Sequence, residues 1–226
     1  MVTVQALFDA GAHFALTRAR RHPSASPFIY ATKDRTDIFD LEETSSCLER
    51  ARSFVRSLAG RPLLFVGGKH EVSDIVKMAA LRAGAPYVAG RWIGGTLTNF
   101  KNVRKRIDRL QSLMDERERG ALEKYTKRER LLIDREIDEL LVRFGGLQSL
   151  TEFPAALVVV DTRHENTAVR EARQLGIPVV GLSSSDCDFS LVKYPIPAND
   201  TSVKSVRLVC DEIAEAYLEG KKVKSQ

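Results

Sequence analysis

Leu63-Leu64-Phe65-Val66-Gly67-Gly68-Lys69-His70-Glu71-Val72 sets four consecutive apolar residues against a glycine pair, and a helical pattern follows through Val72, Ile75, Val76, Ala79 and Ala80. An unbroken apolar run of strand length reads as a strand buried on both faces, whereas apolar residues every three or four positions read as one side of a helix. Gly84 stops that helix and Pro86 opens a second short apolar stretch, Tyr87-Val88-Ala89, so the order is strand, loop, helix, strand. The same grammar returns downstream. Ala155 to Val160 is a buried strand, Ala168, Val169, Ala172 and Leu175 line one helix face, Gly176 ends it, and Pro178-Val179-Val180 begins the next strand. Two such units imply an α/β domain with a mostly parallel sheet.

Working outward, Asp40 with Glu43 three residues on predicts a capping box, and Leu41, Leu48, Ala51, Val55 and Leu58 continue at helical spacing. At the far end Val203, Val206, Val209, Ile213 and Ala216 or Tyr217 predict a closing helix, with a basic tail after Gly220. Between the two units lies a long polar segment in which Phe100, Val103, Ile107, Leu110 and Met114 recur at heptad spacing. After a break at Gly120, Thr126 and Glu129 form a second capping box, and Ile133, Ile137, Leu140 and Phe144 repeat the rhythm until Gly145-Gly146. These are two antiparallel helices, each about 27 Å long at 1.5 Å per residue. One narrow apolar stripe apiece suffices to pack them on each other and little else, which predicts a hairpin that projects. The domain reading is therefore an α/β domain over 1–98 and 146–220, an inserted coiled-coil hairpin over 99–145 and a basic tail over 221–226.

The 226 residues are 43% hydrophobic and 29% charged, which suits one globular domain with an insertion and excludes global disorder. The formal charge of +5 is mild, but basic residues cluster at Arg18, Arg20 and Arg21, at Lys101, Arg104, Lys105 and Arg106, and at Lys221, Lys222 and Lys224. A polyanion responds to local charge density, because each neutralised phosphate releases counterions, so the clusters point to RNA; taken singly, each block also reads as solvated surface. Cys47, Cys187 and Cys210 are odd in number and widely spaced, against both a disulfide framework and a cysteine zinc site, and fit a reducing compartment. The first residues carry no secretion signal and no apolar run reaches the roughly 18 residues of a membrane span, so the expected location is cytoplasmic.

In an open parallel sheet, ligands bind beyond the carboxyl ends of the strands, which places Lys69, His70, Arg163, His164 and the Ser183-Ser184-Ser185-Asp186 loop along one rim. Helix amino ends there would favour phosphate. Gly67-Gly68-Lys69-His70 lacks the first spaced glycine and the Ser or Thr of a Walker loop, and no GxGxxG follows a strand. His70-Glu71 and His164-Glu165 have Asp74 and Ala168 where an HExxH helix needs its second histidine. His13 and Asp188 carry no spacing that forces a ligand role. The residues thus leave three readings open: an RNA-bound assembly protein, a nucleotide or small-molecule site on the rim, and a protein scaffold that binds through the hairpin.

Arg91-Trp92-Ile93-Gly94-Gly95-Thr96-Leu97-Thr98-Asn99-Phe100 contains the only tryptophan and leads straight into the hairpin. Such a loop can hug a phosphate backbone, since glycines remove bulk while hydroxyls and amides donate, or it can be a buried Trp that anchors a tight turn. This segment closely resembles the Arg-Trp-x-Gly-Gly-x-Leu-Thr-Asn run of the bacterial-type second protein family of the small ribosomal subunit. Gly11-Ala12-His13-Phe14, Pro27-Phe28-Ile29-Tyr30, Phe65-Val66-Gly67-Gly68-Lys69, Leu175-Gly176-Ile177-Pro178-Val179 and Ile196-Pro197-Ala198-Asn199-Asp200 resemble further family motifs in family order, so the likeness runs nearly end to end.

The resemblance implies a Rossmann-like or flavodoxin-like domain, helices on both faces, with a protruding coiled-coil hairpin. It also implies a non-enzymatic structural role in translation, with small-subunit ribosomal RNA and neighbouring ribosomal proteins as partners, including the large repeat-containing mRNA-binding one. No cofactor, no metal, no membrane and no homo-oligomer are implied. Combined with the basic clusters, it makes Arg18, Arg20, Arg21, Lys69, Arg91, Trp92, Gly94, Gly95, Thr96, Thr98, Asn99, Lys101, Arg104 and Lys105 the expected RNA-binding set. The chain departs from the family at Ala15-Leu16, Arg21-His22, Gly68-Lys69-His70, Phe189 and Ala198, and it lacks an acidic tail.

Overall fold

The computed structural model describes residues 2–58 and 60–224. In chain order the elements are α1 (Val4–Asp9), β1 (Phe14–Thr17), β2 (Ile29–Lys33), β3 (Thr36–Phe39), α2 (Leu41–Ser57), β4 (Leu63–Val66), α3 (His70–Ala83) and β5 (Tyr87–Val88). Then come α4 (Phe100–Glu118), α5 (Lys127–Phe144), β6 (Ala156–Val160), α6 (Asn166–Gln174), β7 (Val179–Ser183), β8 (Tyr194–Pro197) and α7 (Val203–Lys224). β4 to β8 form one parallel sheet in the order β5-β4-β6-β7-β8. Its strands are apolar along their length because both faces are covered, and their alternation separates two cores. Leu63, Phe65, Val158 and Val180 face α2, α3 and α7, while Leu64, Val66, Leu157 and Val159 face α6, Trp92 and the foot of the α4–α5 pair.

The sequence signals for the helix ends hold for local reasons. Gly84 caps α3 at φ 58°, in the left-handed region where a Cβ is costly, and Gly120 does the same after α4 at φ 71°. Thr126 and Glu129 complete a capping box at the start of α5. Asp40 caps α2 by accepting from the N–H groups of Glu42 and Glu43, but the box expected there is only half formed, since its own N–H donates to the Phe28 carbonyl.

α4 and α5 pack against each other through Val103, Ile107, Leu110 and Leu113 on one side and Ile137, Leu140 and Phe144 on the other. Leu113, rather than Met114, is the fully buried residue at the end of the α4 stripe. Arg109 pairs with Glu136 across the two helices at 3.3 Å, while Arg104, nearer the start of α4, reaches the Gln148 and Leu150 carbonyls beyond the end of α5, so the helices run antiparallel.

α7 does not end at Gly220 in a loose tail. It continues to Lys224, because Lys221 donates to the Ala83 and Gly84 carbonyls at the carboxyl end of α3 and supplies a cation where that helix leaves its last acceptors open. Residues 225 and 226 of the expected tail lie outside the described residues.

A small antiparallel sheet, order β1-β3-β2, had no counterpart in the sequence reading. It rests on a separate cluster of Ala25, Phe39, Cys187 and Phe189, and it is tied to the main body where Ser185 accepts from the Leu16 and His22 N–H groups.

Candidate nucleic-acid interface

The strand order reverses between β4 and β6, and the crevice beyond their carboxyl ends is where open α/β sheets receive ligands. Here the protein fills that crevice itself. The Gly68 N–H donates to Glu165 at 3.0 Å, and Lys69 meets Asp161 at 2.8 Å and Asp200 at 4.0 Å. A side chain at residue 68 would run into the Gly90 carbonyl and Glu165, so the glycine is required by close packing and not by a phosphate. Burial first, and the Asp161 carboxylate second, push the Asp200 carboxyl up to about 7 against the pull of Lys69. Burial alone would lower the Lys69 pKa, but the bond to Asp161 and the charge of Asp200 outweigh it and keep the ammonium charged.

Among the described residues, Asp161, Cys187 and Asp200 bring their ligand atoms within 4.8 Å of one another, a grouping that could hold a metal. Burial pushes the Cys187 thiol up to about 12, which leaves it protonated and a poor ligand, and Lys69 already supplies the local positive charge. Lys69 and Arg163, the cations that would hold an anion on this rim, are already paired with Asp161 and Asp186. The Ser183-Ser184-Ser185 loop is buried and seats the small antiparallel sheet, so it does not line a cleft. Arg163 pairs with Asp186, and the half-exposed His164 ring lies 2.9 Å from Glu165.

The glycine loop before the hairpin is organised around one acceptor that the sequence reading missed. Glu171 of α6 takes hydrogen bonds from Trp92 Nε1 and the Gly95 N–H on one oxygen, at 3.1 and 2.8 Å, and from the Leu97 N–H, the Thr98 N–H and the Thr98 hydroxyl on the other, at 3.0, 3.1 and 3.2 Å. Burial pushes its pKa up, yet the donors from Gly95, Thr98, Trp92 and Leu97 outweigh that and hold the carboxyl below its ordinary range. The donors expected to cradle a phosphate therefore cradle a carboxylate of the chain itself. Trp92 and Thr96 are buried, with the Thr96 hydroxyl on the Ile93 carbonyl, and this corrects their expected place on an RNA-facing surface. A signal existed: Glu171 sits within the Ala168, Val169, Ala172 stripe of α6, where a charge has no place unless it is bonded.

The remaining expected residues divide by partner. Arg21 is drawn to the buried Asp37 at 3.6 Å, and Lys69 to Asp161. Arg104 pairs with Asp108 and also donates to the Gln148 and Leu150 carbonyls, so it braces the returning chain. Arg18, Arg20, Arg91, Lys101 and Lys105 are exposed and form no ion pair among the described residues. Gly94 and Asn99 are exposed beside them, and Asn99 opens α4 without a side-chain cap bond. Arg91, Lys101 and Lys105 all lie at the junction between loop and hairpin.

The profile described as "Ribosomal protein S2" matches residues 7–220. The chain belongs to the ribosomal protein S2 family. It is 43% identical over 223 residues to the small ribosomal subunit protein uS2 of Coprothermobacter proteolyticus, covering 98% of this chain and 83% of that protein. It is 41% identical to the uS2 of Roseiflexus sp., covering 97% and 85%, and 39% identical to the uS2c of Rhodomonas salina, covering 97% and 91%. Proteins of this family are structural components rather than enzymes.

Proposed function

We propose that this chain is a structural constituent of the small ribosomal subunit, acting on the ribosome in the cytoplasm during translation. It holds small-subunit ribosomal RNA mainly through phosphate contacts. The observation that carries this is the set of unpaired cations at the loop–hairpin junction. Arg91, Lys101 and Lys105 stay exposed and without a carboxylate partner among the described residues, as does Arg106 beside them, so positive charge is concentrated where the loop meets the hairpin. Arg18 and Arg20 form a second basic point on the small-sheet side.

The α4–α5 hairpin, as an inserted arm over 99–145, carries the junction outward from the α/β body. A single copy acts within the subunit, and no helix among the described residues is long and apolar enough to cross a membrane. Neighbouring ribosomal proteins, the large repeat-containing mRNA-binding one among them, dock through aromatic surface near the amino end. There Phe8 stacks on His13 at 4.5 Å, and Phe8, Phe14 and Tyr30 are 54%, 53% and 76% exposed. Large apolar groups left in water at this density favour a protein neighbour.

The test is a titration of the full chain against transcribed small-subunit ribosomal RNA over a range of salt. Affinity falls linearly on a log–log plot, with a slope of about 0.9 per phosphate neutralised, and replacing Arg91, Lys101 and Lys105 by alanine flattens it by about 2 to 3. An affinity that salt leaves unchanged, or a slope that these substitutions leave unchanged, would refute the reading.

A further inference from the structure

Beside these unpaired lysines lies an aromatic platform. Phe153 is 52% exposed and leans on Phe100, with ring centroids 4.9 Å apart and planes inclined at 36°. Together with Thr98, Lys101, Arg104 and Lys105 the two rings line a groove of ≈ 600 Å³, within the roughly 300–1,000 Å³ of clefts that hold small ligands.

The platform is built in advance of any ligand. Phe100 packs on the core that includes Leu97 and Leu150. Arg104 pins the carbonyls of Gln148 and Leu150, at 3.3 and 3.1 Å, just before Phe153. Pro154 follows and restricts the Phe153 backbone to extended conformations. A ring that leans on a packed neighbour, on a backbone restrained before and after it, loses little freedom when something stacks on it.

Charge decides what does. Arg104 and Asp108 pair at 2.9 Å, so the acid in the groove wall is already matched, and the charges of Lys101 and Lys105 are left over. These two lysines are one helical turn apart on α4 and share its face. A bare apolar partner has no use for two cations. A nucleotide needs both halves, an aromatic face for its base and cations for its phosphate, and only a base outside a duplex can offer its face.

We propose that this groove takes one unpaired nucleotide of the bound RNA, its base stacked on Phe153 and its phosphate held by Lys101 and Lys105. This deepens the RNA reading above, on which it rests, from phosphate contact alone to the capture of a splayed base in a loop or bulge.

The experiment titrates the full chain and its variants against transcribed small-subunit ribosomal RNA at several salt concentrations, with thermal unfolding as a check on the fold. Phe153→Leu keeps the apolar bulk and removes the ring; it weakens binding about tenfold, with the salt slope unchanged. Phe153→Trp binds as tightly as the parent or tighter. Lys101→Ala with Lys105→Ala weakens binding and flattens the slope by about 0.7 for each single-strand phosphate that is no longer neutralised. Zero-length ultraviolet cross-linking in assembled subunits joins Phe153 to a single unpaired nucleotide.

If Phe153→Leu binds like the parent while the lysine pair matters, the stacking proposal is wrong and the RNA reading stands. If neither alters affinity or slope, the RNA reading of this junction fails with it. A cross-link from Phe153 to a neighbouring protein would overturn the proposal in favour of a protein contact.

Discussion

Glu171→Gln is the sharpest probe of how the loop from Trp92 to Thr98 is held. The amide has the size of the carboxylate but offers one acceptor oxygen and one donor nitrogen. If the nitrogen takes the place of Oε1, it faces the Trp92 and Gly95 N–H groups; if it takes the place of Oε2, it faces those of Leu97 and Thr98. Either way two N–H groups at a buried site lose their acceptor. At about 1–3 kcal/mol for each unsatisfied donor, the variant loses about 3 kcal/mol, a large share of the roughly 5–15 kcal/mol that holds a domain folded. Urea unfolding reads this as a lower midpoint at constant m-value.

Acid adds a second signature. The Glu171 pKa is depressed in the folded state, so its contribution is present above the ordinary carboxyl value of about 4.3 and is lost as pH falls through the folded value. The gap between parent and variant therefore closes in acid. A loss under about 1 kcal/mol at neutral pH, or a gap that widens on acidification, would refute the view that this carboxylate organises the loop.

Lys69→Met tests the closed crevice. It leaves Asp161 and Asp200 facing each other without their cation, and costs about 2–4 kcal/mol at about pH 8. Because the Asp200 pKa is raised to about 7, that carboxyl is protonated at about pH 5.5 and the penalty shrinks there, and paired melts at the two pH values measure the difference. Gly146→Ala would push a Cβ into the carbonyl and ring of Tyr87 where the foot of α5 crosses the edge strand. Overpacking of about 1–3 kcal/mol there lowers the melting temperature by about 2–12 °C, read by calorimetry.

Much of the main sheet was legible because its chemistry is local and repetitive. β4, β6 and β7 are covered on both faces and so read as unbroken apolar runs, and left-handed glycines at 84, 120 and 176 mark the ends. β8 was hidden by its composition, Tyr194-Pro195-Ile196-Pro197. Prolines argue against a strand, but these two occupy alternate positions on an edge, while the Ala198 N–H in the other register bonds the Ser183 carbonyl. The missing donors all point away from the sheet.

The β2–β3 hairpin was hidden for a different reason. Asp34 and Arg35 both sit at positive φ, 48° and 65°, in a tight turn that usually announces itself with glycine or asparagine. At the interface, the basic residues were legible by type, but which of them are free depends on partners far along the chain. Arg21 finds Asp37, Arg104 finds the carbonyls of Gln148 and Leu150, and the Trp92 loop finds Glu171 at a separation of 79 residues. No local pattern encodes those pairings.

α7 covers α2 and α3, and Arg56 near the end of α2 meets Glu219 across 163 residues of intervening chain. At a synthesis rate of about 5–20 residues per second, the apolar flank of α2 waits roughly 8–30 s for its cover. The hairpin, whose contacts are close in sequence, can assemble well before then. During that interval the nascent polypeptide offers a finished arm and an unfinished body, so the ribosome-bound intermediate is the form most in need of protection from aggregation.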